Sequence, residues 1–210
     1  MKITKLMEFE MAHRVVNCVS ERCKYSYHGH SYKIEVTLKG SPLTTSGMVM
    51  DFALFKKAIK PLIDSFDHCW MFFNEEDTPT KDFIITHNRR WVSVPFNPSA
   101  ELMAIMFVYY IQYILKHTRY RDDSGDIPEV ESVRLWETRT GSATATPADV
   151  ANYWNPNWAK HIEFSEGVKR DWTPDLNKIM NGEEVSWNTV PMQLDPSWCS
   201  NENVFDEFNI

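Results

Sequence analysis

An α+β fold follows from two periodicities in the 210-residue sequence and from the order in which they occur. Period-two alternation marks strands at residues 3–16, 31–38 and 130–138, and apolar residues at helical spacing mark helices at 52–66 and 98–117. The order strand, strand, helix, helix, strand is compact and antiparallel in character, as α+β domains are.

In the first strand Met7, Phe9, Met11 and His13 share one parity, and Glu8 and Glu10 take the other. Residues 17–27, with Asn17, Ser20, Glu21, Arg22, Lys24 and Ser26, are polar and irregular, a loop long enough to be functional. The second strand opens on His28-Gly29-His30, and Tyr32, Ile34, Val36 and Leu38 continue the parity of the two histidines. The two strands are expected to form an antiparallel hairpin.

Gly40-Ser41-Pro42 and a Thr/Ser/Gly turn end that strand, and Asp51 is a suitable N-cap for a helix carrying Phe52, Phe55, Ile59, Ile63 and Phe66. Pro61 should kink this helix or mark its frayed last third. Asp67-His68 follows directly. Phe83-Ile84-Ile85 and Trp91-Val92-Ser93-Val94 predict a short hairpin around Asn88-Arg89-Arg90. Asn97-Pro98 starts the next helix, which is apolar almost all round and so should be covered on two sides, by this chain or by another subunit. A polar loop, Asp122-Asp123-Ser124-Gly125, leads to a strand from Val130 to Thr138 in which Val133, Leu135 and Glu137 share a face.

A formal charge of −7 and a pI near 5.5 argue against a nucleic-acid or acidic-membrane binder, which needs a basic face. Residues 1–145 carry 18 basic and 18 acidic side chains, and residues 146–210 carry 4 and 11, so a boundary is expected near 146. The acidic segment holds five of the eight tryptophans (Trp154, Trp158, Trp172, Trp187, Trp198), enough aromatic surface to pack on the core or on a neighbouring subunit. The longest nearly apolar run, Leu102 to Leu115, contains Gln112 and is too short to span a bilayer. The N-terminus has no apolar signal core, and Cys18, Cys23, Cys69 and Cys199 lack disulfide-scaffold spacing, so a cytoplasmic protein is expected.

Chemistry concentrates on three histidines at the ends of apolar strand faces. His28 and His30 project from one side of a strand with Cα atoms roughly 6.5 Å apart, and His13 ends the neighbouring strand. An imidazole in such a place is hydrogen-bonded, neutral and buried, or bound to a metal, because a bare polar ring there costs a few kcal/mol. Three neutral imidazoles leave one tetrahedral position open, the pattern of catalytic zinc. Cys23, in the intervening loop, is a base if its thiol pKa is lowered and a surface thiol otherwise. Asp67-His68 has the composition of an oriented base. Glu137 could accept two parallel N–H bonds from an amidine-like ring edge or face solvent, and Glu101 suits a helix start.

Taken in order, Phe9-Glu10-Met11-Ala12-His13-Arg14, Cys23, His28-Gly29-His30-Ser31-Tyr32, Gly47-Met48-Val49-Met50-Asp51-Phe52, Asp67-His68, Asn97-Pro98-Ser99-Ala100-Glu101 and Trp136-Glu137-Thr138 resemble the 6-pyruvoyl-tetrahydropterin synthase and 6-carboxy-tetrahydropterin synthase family. The resemblance covers about residues 3–145. It implies the tunnelling fold, an antiparallel sheet with two helices on one face, whose subunits form a β-barrel as trimers or stacked trimers with sites shared between subunits. It also implies zinc on His13, His28 and His30, and Glu137 as anchor of the pterin's amino-pyrimidine edge with Glu101 in the substrate-binding set. Cys23 would then be the proton-abstracting base and Asp67 and His68 its relay.

The expected substrate is 7,8-dihydroneopterin triphosphate. The expected products are 6-carboxy-5,6,7,8-tetrahydropterin, acetaldehyde and triphosphate, a step toward 7-deazaguanines such as queuosine precursors. The alternatives are the pyruvoyl branch, which only eliminates triphosphate, and a non-catalytic, zinc-stabilised partner-binding module. Four residues separate Cys23 from His28, and the resemblance does not account for residues 146–210 or 78–96.

Overall fold

Two long strands form the centre of the computed structural model, which describes residues 1–41, 43, 47–121 and 127–188. β1 (Lys2–His13) and β2 (His28–Lys39) pair antiparallel along their whole length, with Lys2 opposite Lys39 and His13 opposite His28. Met7, Phe9 and Met11 of β1 and Tyr32, Ile34, Val36 and Leu38 of β2 are buried on one face. The opposite parity carries Glu8, Glu10, Ser31 and Lys33 outward, so the alternation read from the sequence sets the inside and outside of the sheet. The loop between the strands holds a short helix, α1 (Glu21–Tyr25), where irregular chain was predicted.

The helix predicted over 52–66 is two helices, α2 (Phe52–Phe55) and α3 (Ile59–Asp64). The Asp51 carboxylate caps the first by accepting the Ala53 N–H at 2.7 Å. Pro61 sits inside α3 rather than at the break, which falls at Lys56, Lys57 and Ala58. Proline has no N–H to give the carbonyl four residues earlier. That carbonyl, on Lys57, instead accepts the Thr173 hydroxyl.

β3 (Cys69–Phe73) follows, then α4 (Thr78–His87) and β4 (Trp91–Val94). The hairpin predicted across this stretch is not formed, because Phe83-Ile84-Ile85 lies within α4. Asp77 caps that helix, accepting the N–H and O–H of Thr80 at 2.9 and 2.8 Å, and Pro79 occupies its first turn. A helical crossover delivers the chain to a parallel neighbour. β4 accordingly runs parallel to β3, and β3 parallel to β1, so the sheet is mixed rather than wholly antiparallel.

Beyond them lie α5 (Ala100–Lys116), β5 (Thr118–Arg121), β6 (Glu129–Trp136) and β7 (Ser142–Ala145). The last part comprises α6 (Pro147–Tyr153), a 3₁₀ turn (Trp158–His161), β8 (Glu163–Phe164), α7 (Glu166–Lys169), α8 (Pro174–Met180) and β9 (Val185–Asn188). The main sheet has the order β7-β6-β2-β1-β3-β4-β8, and β5 and β9 form a separate parallel pair. The α+β class predicted from the sequence is the one observed.

α5 lies against β6 and β7 and is covered on its other sides by α6 and α8, so the two-sided burial expected of this apolar helix comes from its own chain. Trp154, Phe164, Leu176, Ile179 and Trp187 share one hydrophobic core with Phe9, Tyr32, Phe66 and Phe107. Trp198, the polar loop at Asp122–Gly125 and the turn around Pro42 and 44–46 lie outside the described residues.

Candidate metal centre and active site

The β1–β2 register brings the three histidines together. His13 faces His28 directly, and His30, opposite Met11, lies one step along on the same face. One nitrogen from each ring falls within 4.8 Å of the others.

Main-chain carbonyls set the tautomers of His13 and His28. His13 is fully buried, and its Nδ1–H donates to the Pro98 carbonyl at 2.8 Å. His28 donates from Nδ1 to the Ser26 carbonyl at 2.9 Å. In both, Nε2 is left with its lone pair, the form in which a histidine ligates a metal. Tyr32 donates its hydroxyl to His13 Nε2 at 3.2 Å. Burial pushes the His13 pKa down to about 4, against the pull of the Pro98 carbonyl and with help from His28 and His30. Burial, with His28 beside it, lowers His30 as well. His13 is therefore a neutral imidazole at pH 7.

Glu137 directly follows β6, which ends at Trp136 rather than running on to Thr138 as predicted. Its Oε1 lies 3.3 Å from His13 Nε2 and 3.9 Å from His30 Nε2. Burial raises its pKa, His28 partly offsets this and Glu101 adds to it. A carboxylate oxygen and an imidazole lone pair facing each other at this distance repel unless a proton or a cation lies between them. His30 Nε2 is buried without a hydrogen-bond partner. Both features fit a metal ion held by His13, His28 and His30, whose chemistry demands neutral nitrogen donors.

The Asp67–His68 pair is formed as predicted by its composition. His68 Nδ1 and Asp67 Oδ2 are 2.8 Å apart, so the carboxylate holds that proton and leaves Nε2 available. Asp67 Oδ1 accepts the Glu10 N–H at 2.7 Å, and the His68 N–H donates to the Glu10 carbonyl at 2.6 Å. Burial raises the Asp67 pKa, but the Glu10 N–H, His68 and Arg90 together bring it below the usual carboxylate value. His68 has φ of 56°, in the left-handed region, which costs a non-glycine residue about 1 kcal/mol. A cavity of ≈ 370 Å³ brings His68 and His30 to one wall with Glu10, Ser31 and Trp70.

Cys23 is not among the residues that line this cavity. It sits partly exposed on α1, its carbonyl accepting the Val15 N–H at 3.0 Å. Glu101 is exposed in the first turn of α5, capped by Ser99, and acts on Glu137 through its charge.

Several supporting groups were not apparent from the sequence. Arg14 forms a two-pronged ion pair with the buried Glu76, and the Tyr27 hydroxyl donates to the same carboxylate at 3.1 Å, so both ends of the loop that carries Cys23 are tied to one residue. Tyr27 stacks on Trp70 with centroids 5.0 Å apart. Phe96, two residues before Pro98, packs against Trp158 and Trp154 with centroids at 5.1 and 6.1 Å. Only polar residues placed before an apolar run could have hinted at these pairings, and their partners are distant in sequence.

Fold and site together define an α+β chain with a candidate three-histidine metal centre at one end of its longest hairpin. A sequence model of the 6-pyruvoyl tetrahydropterin synthase family matches residues 2–148. The chain belongs to that family. It is 35% identical over 188 residues to the 6-carboxy-5,6,7,8-tetrahydropterin synthase of Helicobacter pylori, a match covering 88% of this chain and 94% of that protein. The enzyme of the same name from Aquifex aeolicus is 32% identical over 166 residues, covering 68% and 95%. The crystal structure of the uncharacterized Wolinella succinogenes protein WS1659 superposes with a TM-score of 0.54 at 21% identity, over 70% of this chain and 98% of that one, and shares the fold.

Proposed function

We propose that the protein is a zinc-dependent 6-carboxy-5,6,7,8-tetrahydropterin synthase that converts 7,8-dihydroneopterin triphosphate to 6-carboxy-tetrahydropterin, acetaldehyde and triphosphate on the route to 7-deazaguanines. The observation that carries this reading is the convergence of three imidazole nitrogens, within 4.8 Å of one another, beside the Glu137 carboxylate. The names of the relatives give its direction.

Zinc held by His13, His28 and His30 would supply a Lewis acid that acidifies a side-chain hydroxyl of the substrate. Glu137 accepts the parallel N–H groups of the pterin edge, and Glu101 adds negative charge on the same side. Asp67 fixes Nδ1–H of His68, so His68 exchanges protons through Nε2. Cys23 serves as the base that removes a substrate proton. We further infer a homo-oligomer, a trimer or hexamer closed into a barrel, with sites shared between subunits, which accounts for Cys23 standing apart from the His30–His68 cavity in the single chain. The protein acts in the cytoplasm on a small molecule, and among the described residues no helix is long and apolar enough to cross a membrane. On this reading pterin chemistry resides in residues 1–145, with the segment from 146 as an extension packed on it.

The test is turnover of 7,8-dihydroneopterin triphosphate by zinc-loaded protein, with products identified by mass and acetaldehyde assayed. Carboxy-tetrahydropterin with acetaldehyde is the expected outcome. A pyruvoyl product would move the protein to the other branch, and absence of turnover with zinc bound would overturn the enzyme reading.

A further inference from the structure

Arg90 gathers four hydrogen bonds from two distant parts of the chain. Its Nε donates to the Asp67 carbonyl at 2.9 Å and Nη2 to the Ser65 carbonyl at 2.9 Å, both in the turn that leaves α3 and carries Asp67 and His68. On its other side Nη1 donates to the Gly167 carbonyl at 2.8 Å and Nη2 to the Asp171 carboxylate at 2.7 Å. Both of those partners belong to the segment beyond residue 146.

The approach is close by construction. A Cβ at Gly167 would lie 2.1 Å from the Arg89 carbonyl oxygen, so only glycine lets α7 reach the start of β4. The same junction is stitched by Ser165, whose N–H donates to the Trp91 carbonyl and whose hydroxyl accepts the Trp91 N–H, each at 3.0 Å. A second cavity, of ≈ 360 Å³, has Asp67, His68, Arg90 and Asp171 in its wall with Glu8 and Asp64.

An arginine beside a helix C-terminus ordinarily caps its last carbonyls, and Arg90 does this for Ser65. Capping does not account for the remaining bonds. The turn that Arg90 grips contains His68, the one described non-glycine residue with positive φ. A left-handed histidine persists only where its neighbours over-determine it. The Glu10 backbone holds this turn from one side and Arg90 from the other. A rigid fork with five donors suits three carbonyls and a carboxylate at once, which a lysine cannot match.

We propose that Arg90 is a positioning residue of the active site, and that the segment beyond residue 146 serves the reaction by anchoring Arg90 through Gly167 and Asp171, so that the Asp67–His68 turn is held in its left-handed form. This rests on the reading of His68 as a proton-exchanging group. The extension is then a working part of the site, attached to the chemistry through one guanidinium.

The experiment compares steady-state kinetics on 7,8-dihydroneopterin triphosphate for zinc-loaded wild type, Arg90→Ala, Arg90→Lys, Asp171→Ala and His68→Ala, and for Arg90→Ala and Asp171→Ala in the His68→Ala background. Misplacing a catalytic group this way lowers kcat, so Arg90→Ala is expected to lose about 10- to 100-fold in kcat with KM changed less than about twofold. Arg90→Lys should not restore it, and Asp171→Ala, at a half-exposed pair, should show a smaller loss in the same parameter. With His68 already replaced, neither substitution should lower kcat further, because groups acting through one another are not additive.

Additive losses, or a loss confined to KM, would overturn the proposal while leaving the role of His68 intact. Full activity of His68→Ala would overturn the reading of His68 and the proposal with it. Should Arg90→Ala fail to fold, the Asp171→Ala pair carries the same comparison.

Discussion

The Pro98 carbonyl oxygen lies 2.8 Å from Nδ1 of the buried His13 ring, and it fixes which nitrogen of that ring is left to bind. A main-chain carbonyl cannot be substituted, but the residues that hold it can. Phe96, two positions earlier, is wedged against Trp158 and Trp154, and Trp154 in turn stacks on Tyr109 of α5 with centroids 4.6 Å apart. Trp158→Ala is expected to weaken zinc binding by about 10-fold, the lower end of what groups orienting a ligand contribute. Competition with a chromogenic chelator reads this directly, and an unchanged affinity would mean that Pro98 is held without the tryptophans.

Glu76 is the common anchor of Arg14 and Tyr27. Removing one member of a buried ion pair strands the other, so Glu76→Ala should destabilise the protein by about 3–5 kcal/mol. Hydrogen exchange in residues 15–26 should rise more than in β1 and β2, since both tethers of the loop are lost at once. Uniform exchange across the loop and the strands would show that Glu76 supports the whole fold instead.

How much of this was legible in the sequence depended on the range of the interaction. His13, His28 and His30 were readable because alternation along two adjacent strands fixes which side chains share a face, and the hairpin register follows from pairing. Asp67-His68 was readable because its partners are consecutive. The helix at 78–87 was missed because Ile84-Ile85 suggested a strand, while the stronger signal, Asp77 capping Thr80 with Pro79 in the first turn, is a local bond that hydrophobic periodicity ignores. The parallel placement of β3 and β4 was not legible, since strand direction depends on where α4 delivers the chain. Arg90 was assigned to a turn on composition alone, and none of its four acceptors is within twenty residues.

Asp67 also gives the protein a pH signature. Its carboxyl is held below the ordinary value in the folded state: burial opposes this, and the Glu10 N–H, His68 and Arg90 outweigh it. A depressed folded pKa contributes stability that is present above the unfolded value, near 3.9, and is lost as pH falls through the folded one. Urea midpoints should therefore drop more steeply between about pH 4.5 and pH 2.5 in wild type than in Asp67→Asn. Parallel profiles would show that the carboxylate charge contributes nothing to folding.

Thr173 does two jobs with one hydroxyl. It donates to the Lys57 carbonyl that Pro61 cannot serve, and it accepts the Leu176 N–H at the start of α8 at 3.2 Å. Thr173→Val keeps the shape and removes both bonds. A cost of about 2–3 kcal/mol is expected from an unsatisfied carbonyl and a lost helix cap, read from chemical denaturation. A cost below about 0.5 kcal/mol, the scatter of ordinary surface substitutions, would mean that water replaces the hydroxyl at Lys57.

The two-residue strand β8 covers the flank of β4, a strand whose Val92, Ser93 and Val94 are buried and whose outer rim would otherwise present unpaired amides beside apolar side chains. Such a rim invites foreign strands to add to it. With β8 in place the rim is only two residues long and ends at Ser165, whose side chain turns back to Trp91. A chain stopped at residue 146 would therefore face a hazard unrelated to catalysis: it would expose a ready template for fibril growth, and its first symptom would be insolubility rather than a slower reaction.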